Sequence, residues 1–194
     1  MRIEGERIVI IQTIVDYSTQ MISQGGYIYG LLIVLLESYL PFLPLCLFVA
    51  LNVNAFGFIP GCLISWLGTC IGSYTCYLLF LNIDNKKIIK INAIQKIYNS
   101  IEKNISFTKL VLLLTLPFTP SYLINILSGI LKISKNKYLY SIIIGKSFTV
   151  LFWGYVGNNV IKSITDLKSL TYIGITLILA YIISKIISHK LNIK

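Results

Sequence analysis

The chain has 194 residues, of which 56% are hydrophobic and only 12% are charged. A soluble domain carries about 25% charged residues, so the composition excludes an ordinary soluble protein, and the length leaves room for one compact unit. The formal net charge of +10 comes from lysines that bunch between apolar blocks. This is how membrane proteins fix their orientation, so nucleic acid is not a predicted partner.

The N-terminal unit, residues 1–26, is predicted to hold an amphipathic helix at 8–22. No cleavable signal peptide is predicted, because the first apolar run lacks a small-residue cleavage site. The helix lies either in the membrane interface or on the protein's own membrane core, and the pattern does not separate the two. Its apolar half comprises Ile8, Ile10, Ile11, Ile14, Val15, Tyr17, Met21 and Ile22.

Residues 27–82 form an apolar block of 56 residues in which Glu37 is the only charge. One bilayer crossing needs roughly 20 residues, so the block is too long for a single span. The motif LPFLP at 40–44 interrupts it early. We predict a re-entrant hairpin over 27–55 followed by a span over 57–82.

A nearly identical motif, LPFTP, stands at 116–120 inside the apolar segment 105–131. Basic segments flank this stretch: 83–104, a predicted cytoplasmic amphipathic helix, and 132–137. A single crossing would place one of them outside, against the positive-inside rule, and would put two prolines in mid-helix. A second hairpin that returns to its own face satisfies both constraints, provided that other helices surround it.

The remaining segments predict a span at 138–161 and then a unit at 162–194, which contains a loop, a last span at 170–188 and a basic tail. The order hairpin, span, hairpin, span places the two halves upside down to each other. The predicted fold is therefore an all-α polytopic membrane protein built as an inverted repeat, an architecture typical of transporters. The C-terminus is predicted to be cytoplasmic and the protein to lie in the cell membrane.

The proline motifs predict the tips of the two hairpins, with Pro41 and Pro44 in one and Pro117 and Pro120 in the other. Thr119 suits a helix N-cap and Pro120 a first helical residue, so free backbone amides at Ser121 and beyond would face the tip. A helix N-terminus favours anions. Alternatively, the prolines only shape the turns.

Glu37 is the sole acid in the apolar blocks, and Lys146 lies within the predicted span 138–161. An ionisable residue in the bilayer is a functional-site hypothesis. The two side chains would pair, or Glu37 would take up a proton during transport. The structural alternative is a fixed pair, or a lysine that reaches the nearer surface, as is expected of Lys109.

Small and polar residues in the spans have modest expected roles. The glycines of GTCIG, Gly68 and Gly72, and the later Gly157 permit close helix contacts. Asn125 either lines a polar path or bonds between helices. The cysteines are interpreted as small apolar fillers, and no enzyme, metal or cofactor is predicted, since no hydrolytic or metal-binding constellation is visible. They are Cys46, Cys62, Cys70 and Cys76.

Taken together, these motifs resemble the DedA/VTT superfamily, and within it the SNARE-associated-type branch with a proline-x-x-proline hairpin. The resemblance covers roughly 27–161 and rests on Glu37 before LPFLP, on the glycines of the next span, on IIIGKSFTVLFWGYVG at 142–157, and on a hairpin motif. That motif comprises Pro117, Pro120, Asn125 and Gly129. The resemblance implies two opposed re-entrant hairpins, lipid transport and, in some members, dependence on proton motive force through a glutamate that matches Glu37.

The chain departs from the DedA pattern at its charged positions. Leu45-Cys46 stands where a glycine–acid pair is common, and Leu114 and Pro120 stand where arginines occur in DedA proteins proper. Helix ends, Lys146 and Glu37 would have to take over the binding of phosphate and of protons.

The predicted function is transport of a membrane lipid, either a phospholipid or a polyprenyl phosphate, by flipping or scrambling. Protons and a second copy of the chain are left open as partners. Two alternatives remain: a proton-coupled carrier of a small solute or ion, and a scaffold that organises other membrane proteins without transporting anything.

Overall fold

The structure is a computed structural model that describes residues 2–40, 44–82, 105–162 and 167–190. Within these ranges the chain is helical and contains no strand. The helices are α1 (Arg2–Glu37), α2 (Leu45–Phe56), α3 (Phe58–Leu81), α4 (Phe107–Thr115), α5 (Ser121–Ile130), α6 (Lys135–Lys162) and α7 (Leu167–Lys190). The predicted amphipathic segment 83–104 and the turn residue Pro41 lie outside the described residues.

The first hairpin starts where α1 bends at Gly26, whose φ of 66° and ψ of −171° suit glycine. Its outgoing arm runs to Glu37, and α2 returns. The two open ends meet, because Asn52 Nδ2 donates to the Gly30 carbonyl at 3.0 Å and the Tyr27 and Phe56 rings lie 4.9 Å apart. A helix of 12 residues such as α2 is about 18 Å long, too short to cross the hydrocarbon core.

The second hairpin consists of α4 and α5, which have 9 and 10 residues and are each about 15 Å long or less. Its open ends also meet: the Lys137 ammonium donates to the Ile105 carbonyl. Ile105 and Ile133 belong to the same buried cluster. The chain therefore leaves this hairpin at the face where it entered.

The two long helices, α3 and α6, connect the open ends of the two hairpins, which we call their mouths. α3 follows α2 directly and reaches the second mouth, where the Tyr77 hydroxyl donates to the Ile133 carbonyl. α6 runs back, so that a Cβ on Gly157 would lie 2.4 Å from Ala50 in α2. The hairpins thus open on opposite faces. The predicted all-α, inverted-repeat membrane fold is confirmed, and Phe58–Leu81 and Lys135–Asn159 are long and apolar enough to span a membrane. Gln12–Glu37 is also long and apolar enough, but the bend at Gly26 interrupts it where the first hairpin starts.

Both halves of the repeat pack in the same way. A Cβ added to Gly72 of α3 would lie 2.6 Å from Ser38 Oγ, and one added to Gly145 of α6 would lie 2.6 Å from Leu114 Cβ. Ser38 and Leu114 stand 76 positions apart, the same separation as the two proline motifs. Each long helix therefore lies against the first arm of its own hairpin at a glycine.

Gly72→Ala is expected to destabilise the protein, since its new Cβ would also lie 2.7 Å from the Leu35 carbonyl, a backbone atom that cannot rotate away. Overpacking of this kind costs about 1–3 kcal/mol. Gly174→Ala in α7 is the matched control, because a Cβ there would meet nothing within 4 Å. Thermal unfolding in mild detergent measures both variants, and equal midpoints would contradict the close contact.

Cysteine labelling tests the hairpin geometry. Ser106→Cys and Ser134→Cys flank the second hairpin and are expected to react with a membrane-impermeant thiol reagent from one face only. Asn54→Cys, at the end of α2, is expected to react from the other face. The wild-type chain, whose cysteines all lie in apolar segments, supplies the background. Ser106 and Ser134 facing opposite compartments would contradict the fold.

The part of α1 before the bend and the last helix, α7, lie at the edge of the repeat. In α1 before the bend, Ile22 is buried, whereas Ile14, Tyr17 and Met21 of the predicted apolar face are exposed. α7 packs on α6 and reaches the second hairpin through Tyr181, whose ring lies 5.7 Å from Phe118. Most of the outward surface of α7 is apolar, as expected for a segment in contact with lipid, whereas the exposed residues that the structure describes in α1 before the bend are mostly polar.

Candidate functional site

A cavity of about 240 Å³ lies where the tips of the two hairpins meet. The end of α1, the start of α2, the turn between α4 and α5, the start of α5 and one face of α6 all contribute to its wall. Its polar side chains include Glu37, Thr119, Ser121 and Thr149. The cavity therefore combines residues from both halves of the repeat at a depth between the two mouths.

Most of the predicted site residues line this cavity. The structure brings together Glu37, Pro44, Pro117, Thr119, Pro120 and Ser121. Asn125 and Lys146 are not in the wall, although both are fully buried. A carboxylate and two proline turns that are far apart in the sequence thus share one small space.

Both return helices begin at the cavity. α2 has Pro44 as its N-cap and α5 has Pro120, and neither N-cap makes a side-chain hydrogen bond. The first-turn amides of a helix have no intrahelical acceptor and carry a partial positive charge. Two helix N-termini therefore lie at the cavity wall, one from each half of the repeat.

The prediction of Thr119 as N-cap and Pro120 as first helical residue was wrong by one position. Pro120 is the N-cap, with ψ at 97°, and the helix starts at Ser121. An α-helical residue needs ψ near −42°, whereas the extended conformation of Pro120 lets the chain turn into the helix. Thr119 lies in the turn and contributes its side chain to the cavity.

Glu37 and Lys146 are close enough to interact electrostatically. Lys146 has no exposed surface, and its Nζ has no hydrogen-bond partner among the described residues. The Oε2 atom of Glu37 is also buried and has no hydrogen-bond partner among the described residues. A buried charge without hydrogen bonds costs several kcal/mol, so this arrangement lowers the stability of the fold. The presence of the two charges is therefore better explained by a function than by stability.

The helix α6 carries Lys146 to within one turn of the cavity. Lys146, Thr149 and Trp153 are spaced by three and four residues and therefore share one helix face, and the latter two line the cavity. Thr149 Oγ1 lies 2.7 Å from the Leu114 carbonyl, near the end of α4. The threonine thereby fixes the turn of the second hairpin against α6.

Sequence reasoning missed several polar residues of this region. Thr149 belongs to the cavity, while Ser38 and Ser73 each bury a hydroxyl with no hydrogen-bond partner among the described residues. One signal was available: Ser73 follows Gly72 as Lys146 follows Gly145. This repeated glycine–polar pair marks the same position in the two halves.

Asn125 has a structural contact. Its Oδ1 accepts a hydrogen bond of 2.7 Å from the Tyr138 hydroxyl, which ties α5 to the start of α6. The predicted glycines also lie at close approaches, where an added Cβ would come within 2.8 Å of a neighbouring helix. These positions are Gly68 against Leu31, Gly72 against Ser38, Gly129 against Tyr77 and Gly157 against Ala50.

Comparison with known proteins gives one family and two relatives. The sequence model of the VTT domain matches residues 40–159. The chain is 28% identical to the "Uncharacterized membrane protein YhjE" of Bacillus subtilis over 83% of this chain and 80% of that protein. It is 27% identical to the "Uncharacterized protein YqeD" of the same organism, over 89% of this chain and 85% of that protein. No solved structure matches.

Proposed function

The chain belongs to the VTT-domain family, and on that premise we propose that it moves a lipid headgroup across the bilayer. The resemblance seen in the proline and glycine motifs is confirmed, and the chain is a multi-pass membrane protein. The observation that carries the proposal is the cavity at the hairpin tips, into which both repeat halves direct a helix N-terminus.

A phosphate-bearing headgroup fits the chemistry of this cavity. Helix N-termini bind phosphate through free amides and a favourable dipole, and Lys146 adds a positive charge nearby. With about 240 Å³ of space, the cavity is smaller than typical ligand pockets. A headgroup would enter while the hydrocarbon chains stay in the surrounding lipid. A phospholipid and a polyprenyl phosphate share this feature, and we propose transport rather than catalysis.

The inverted repeat supports access from both faces. The hairpins open on opposite faces, and their tips meet in one cavity between the two mouths. Alternating opening of the two hairpins would expose the same site to each leaflet in turn, as in transporters built from inverted repeats. We place the protein in the cell membrane with its C-terminus in the cytoplasm.

Proteoliposomes with fluorescent lipids test the proposal directly. Dithionite reduces only outer-leaflet label, so a transporter is expected to make the inner-leaflet label accessible at a rate proportional to the amount of protein. The panel should include several phospholipid headgroups and a polyprenyl phosphate, with and without a pH gradient. Protein-free vesicles are the control. Bleaching that stops at the outer leaflet for every lipid would refute lipid transport and favour a small-solute carrier or a scaffold.

Glu37→Gln is expected to remove any dependence of transport on a pH gradient. The carboxylate lines the cavity and interacts with Lys146, whereas an amide of the same shape cannot exchange a proton. Asp16→Asn, an exposed acid in α1, is the matched control. Gradient-dependent transport that survives in Glu37→Gln would remove this residue from proton coupling.

A further inference from the structure

An apolar groove of about 300 Å³ lies between α3 and α6, on a surface apart from the hairpin-tip cavity. Its walls include Ile59, Leu63 and Trp66 of α3 and Ser147 and Leu151 of α6. The one hydroxyl among these residues is satisfied, because Ser147 Oγ donates to the Ile144 carbonyl at 2.7 Å. The groove therefore offers apolar contact area, and its hydroxyl needs no hydrogen bond from a ligand.

The groove faces out of the protein. Cys62 and Val150, at its base, are buried in one cluster with Val49 and Val53 of α2, so α2 closes the inner side. Ile59, Leu63 and Leu151 at the rim are 71%, 53% and 50% exposed. Since both walls are helices that cross the membrane, the medium at this rim is the hydrocarbon of the bilayer, not water.

The two halves of the repeat differ at this feature. Gly72 and Gly145 make the same contact in each half, 73 positions apart, so Ser147 and Val150 correspond to Tyr74 and Tyr77. The Tyr74 and Tyr77 rings lie 5.8 Å apart, and Tyr77 stacks on the buried Tyr138 at 4.4 Å. Large rings of α3, in the first half, thus fill the space at the second hairpin's end, whereas serine and valine of α6, in the second half, leave space at the first hairpin's end.

We propose that the α3–α6 groove binds one hydrocarbon chain of a bilayer phospholipid, in the leaflet where α3 begins. The volume is near the lower limit of ligand pockets, which suits a segment of one chain and not a whole lipid. Binding there requires only the membrane environment, so the site exists whether or not the protein transports a headgroup. The fold is therefore asymmetric between leaflets even though its backbone repeats.

Tryptophan quenching provides the test. The chain has two tryptophans, so Trp153→Phe leaves Trp66 in the groove as the only tryptophan, whose emission is followed. The purified protein in mild detergent is titrated with a phosphatidylcholine whose acyl chains carry bromine. The control reporter is Trp66→Phe with Trp153→Phe and Leu79→Trp, which places an indole at an exposed position near the other end of α3. Unbrominated phosphatidylcholine serves as the competitor.

We expect quenching of Trp66 to saturate near one lipid per protein and to reverse with the competitor, while the Leu79→Trp reporter quenches in proportion to the lipid fraction. Ser147→Phe, which fills the groove, is expected to convert the Trp66 curve to the proportional form. Proportional quenching of Trp66 in the parent protein would overturn the site. Saturable quenching in a folded Ser147→Phe protein would show that the lipid binds somewhere other than the α3–α6 groove. Neither result depends on transport being observed.

Discussion

Lys146→Met is expected to slow lipid transport by about ten- to hundredfold. The double variant Glu37→Leu with Lys146→Met, which removes both buried charges, is expected to transport as slowly but to melt at or above the temperature of the parent protein. The lysine is fully enclosed, and its ammonium has no hydrogen-bond partner among the described residues. Replacement of both members of a buried ion pair by well-packed apolar groups is often neutral or stabilising, by about 1–4 kcal/mol, whereas removal of one member leaves the other charge unpaired and is destabilising. We propose that Lys146, one helical turn from the cavity, reaches the phosphate when the site opens. Loss of that charged hydrogen bond would cost about 1.5–3 kcal/mol, which corresponds to the expected change in rate.

The double variant is informative because it separates the effect on stability from the effect on transport. If the pair served only the fold, the double variant would regain stability and transport together. Lys109→Met is the matched control, because Lys109 is exposed at the start of α4 and its replacement should change neither property. Proteoliposome bleaching gives the rate and detergent melting gives the stability. Normal transport by Lys146→Met would exclude the lysine from the mechanism.

Ser121→Trp is expected to stop headgroup passage by filling the cavity. Ser121 is the first residue of α5 and lines the space of about 240 Å³ between the hairpin tips. An indole there would exclude a headgroup and cover the helix N-terminus. We expect at least about a tenfold loss of transport, since blocking a bound phosphate removes more than about 1.4 kcal/mol of interaction.

Ser23→Trp in α1 is the matched substitution at an exposed serine and should transport at the wild-type rate. Circular dichroism and melting in detergent establish that Ser121→Trp is folded. A folded Ser121→Trp protein with the parent rate would show that the headgroup takes another path, and the hairpin-tip cavity would lose its assigned role.

Local signals along the chain predicted most of the fold. Pro117 and Pro120 cannot continue a helix through an apolar segment, and the lysines on both sides of 105–131 leave only a return to the same face. Glu37 is recognisable as the single charge in 56 apolar residues. Composition, proline chemistry and charge asymmetry act within a short stretch of chain, which is why each is visible before any contact is known.

The contents of the site depend on contacts between distant segments. Thr149 reaches the end of α4 from 35 residues away, and nothing local to the threonine indicates that partner. The start of α5 at Ser121 instead of Pro120 depends on how the turn packs, and the α3–α6 groove depends on small residues in one half where the other has tyrosines. Periodicity and propensity locate helices, but only their packing decides which side chains meet, because burial and cavity shape arise between helices and not within them.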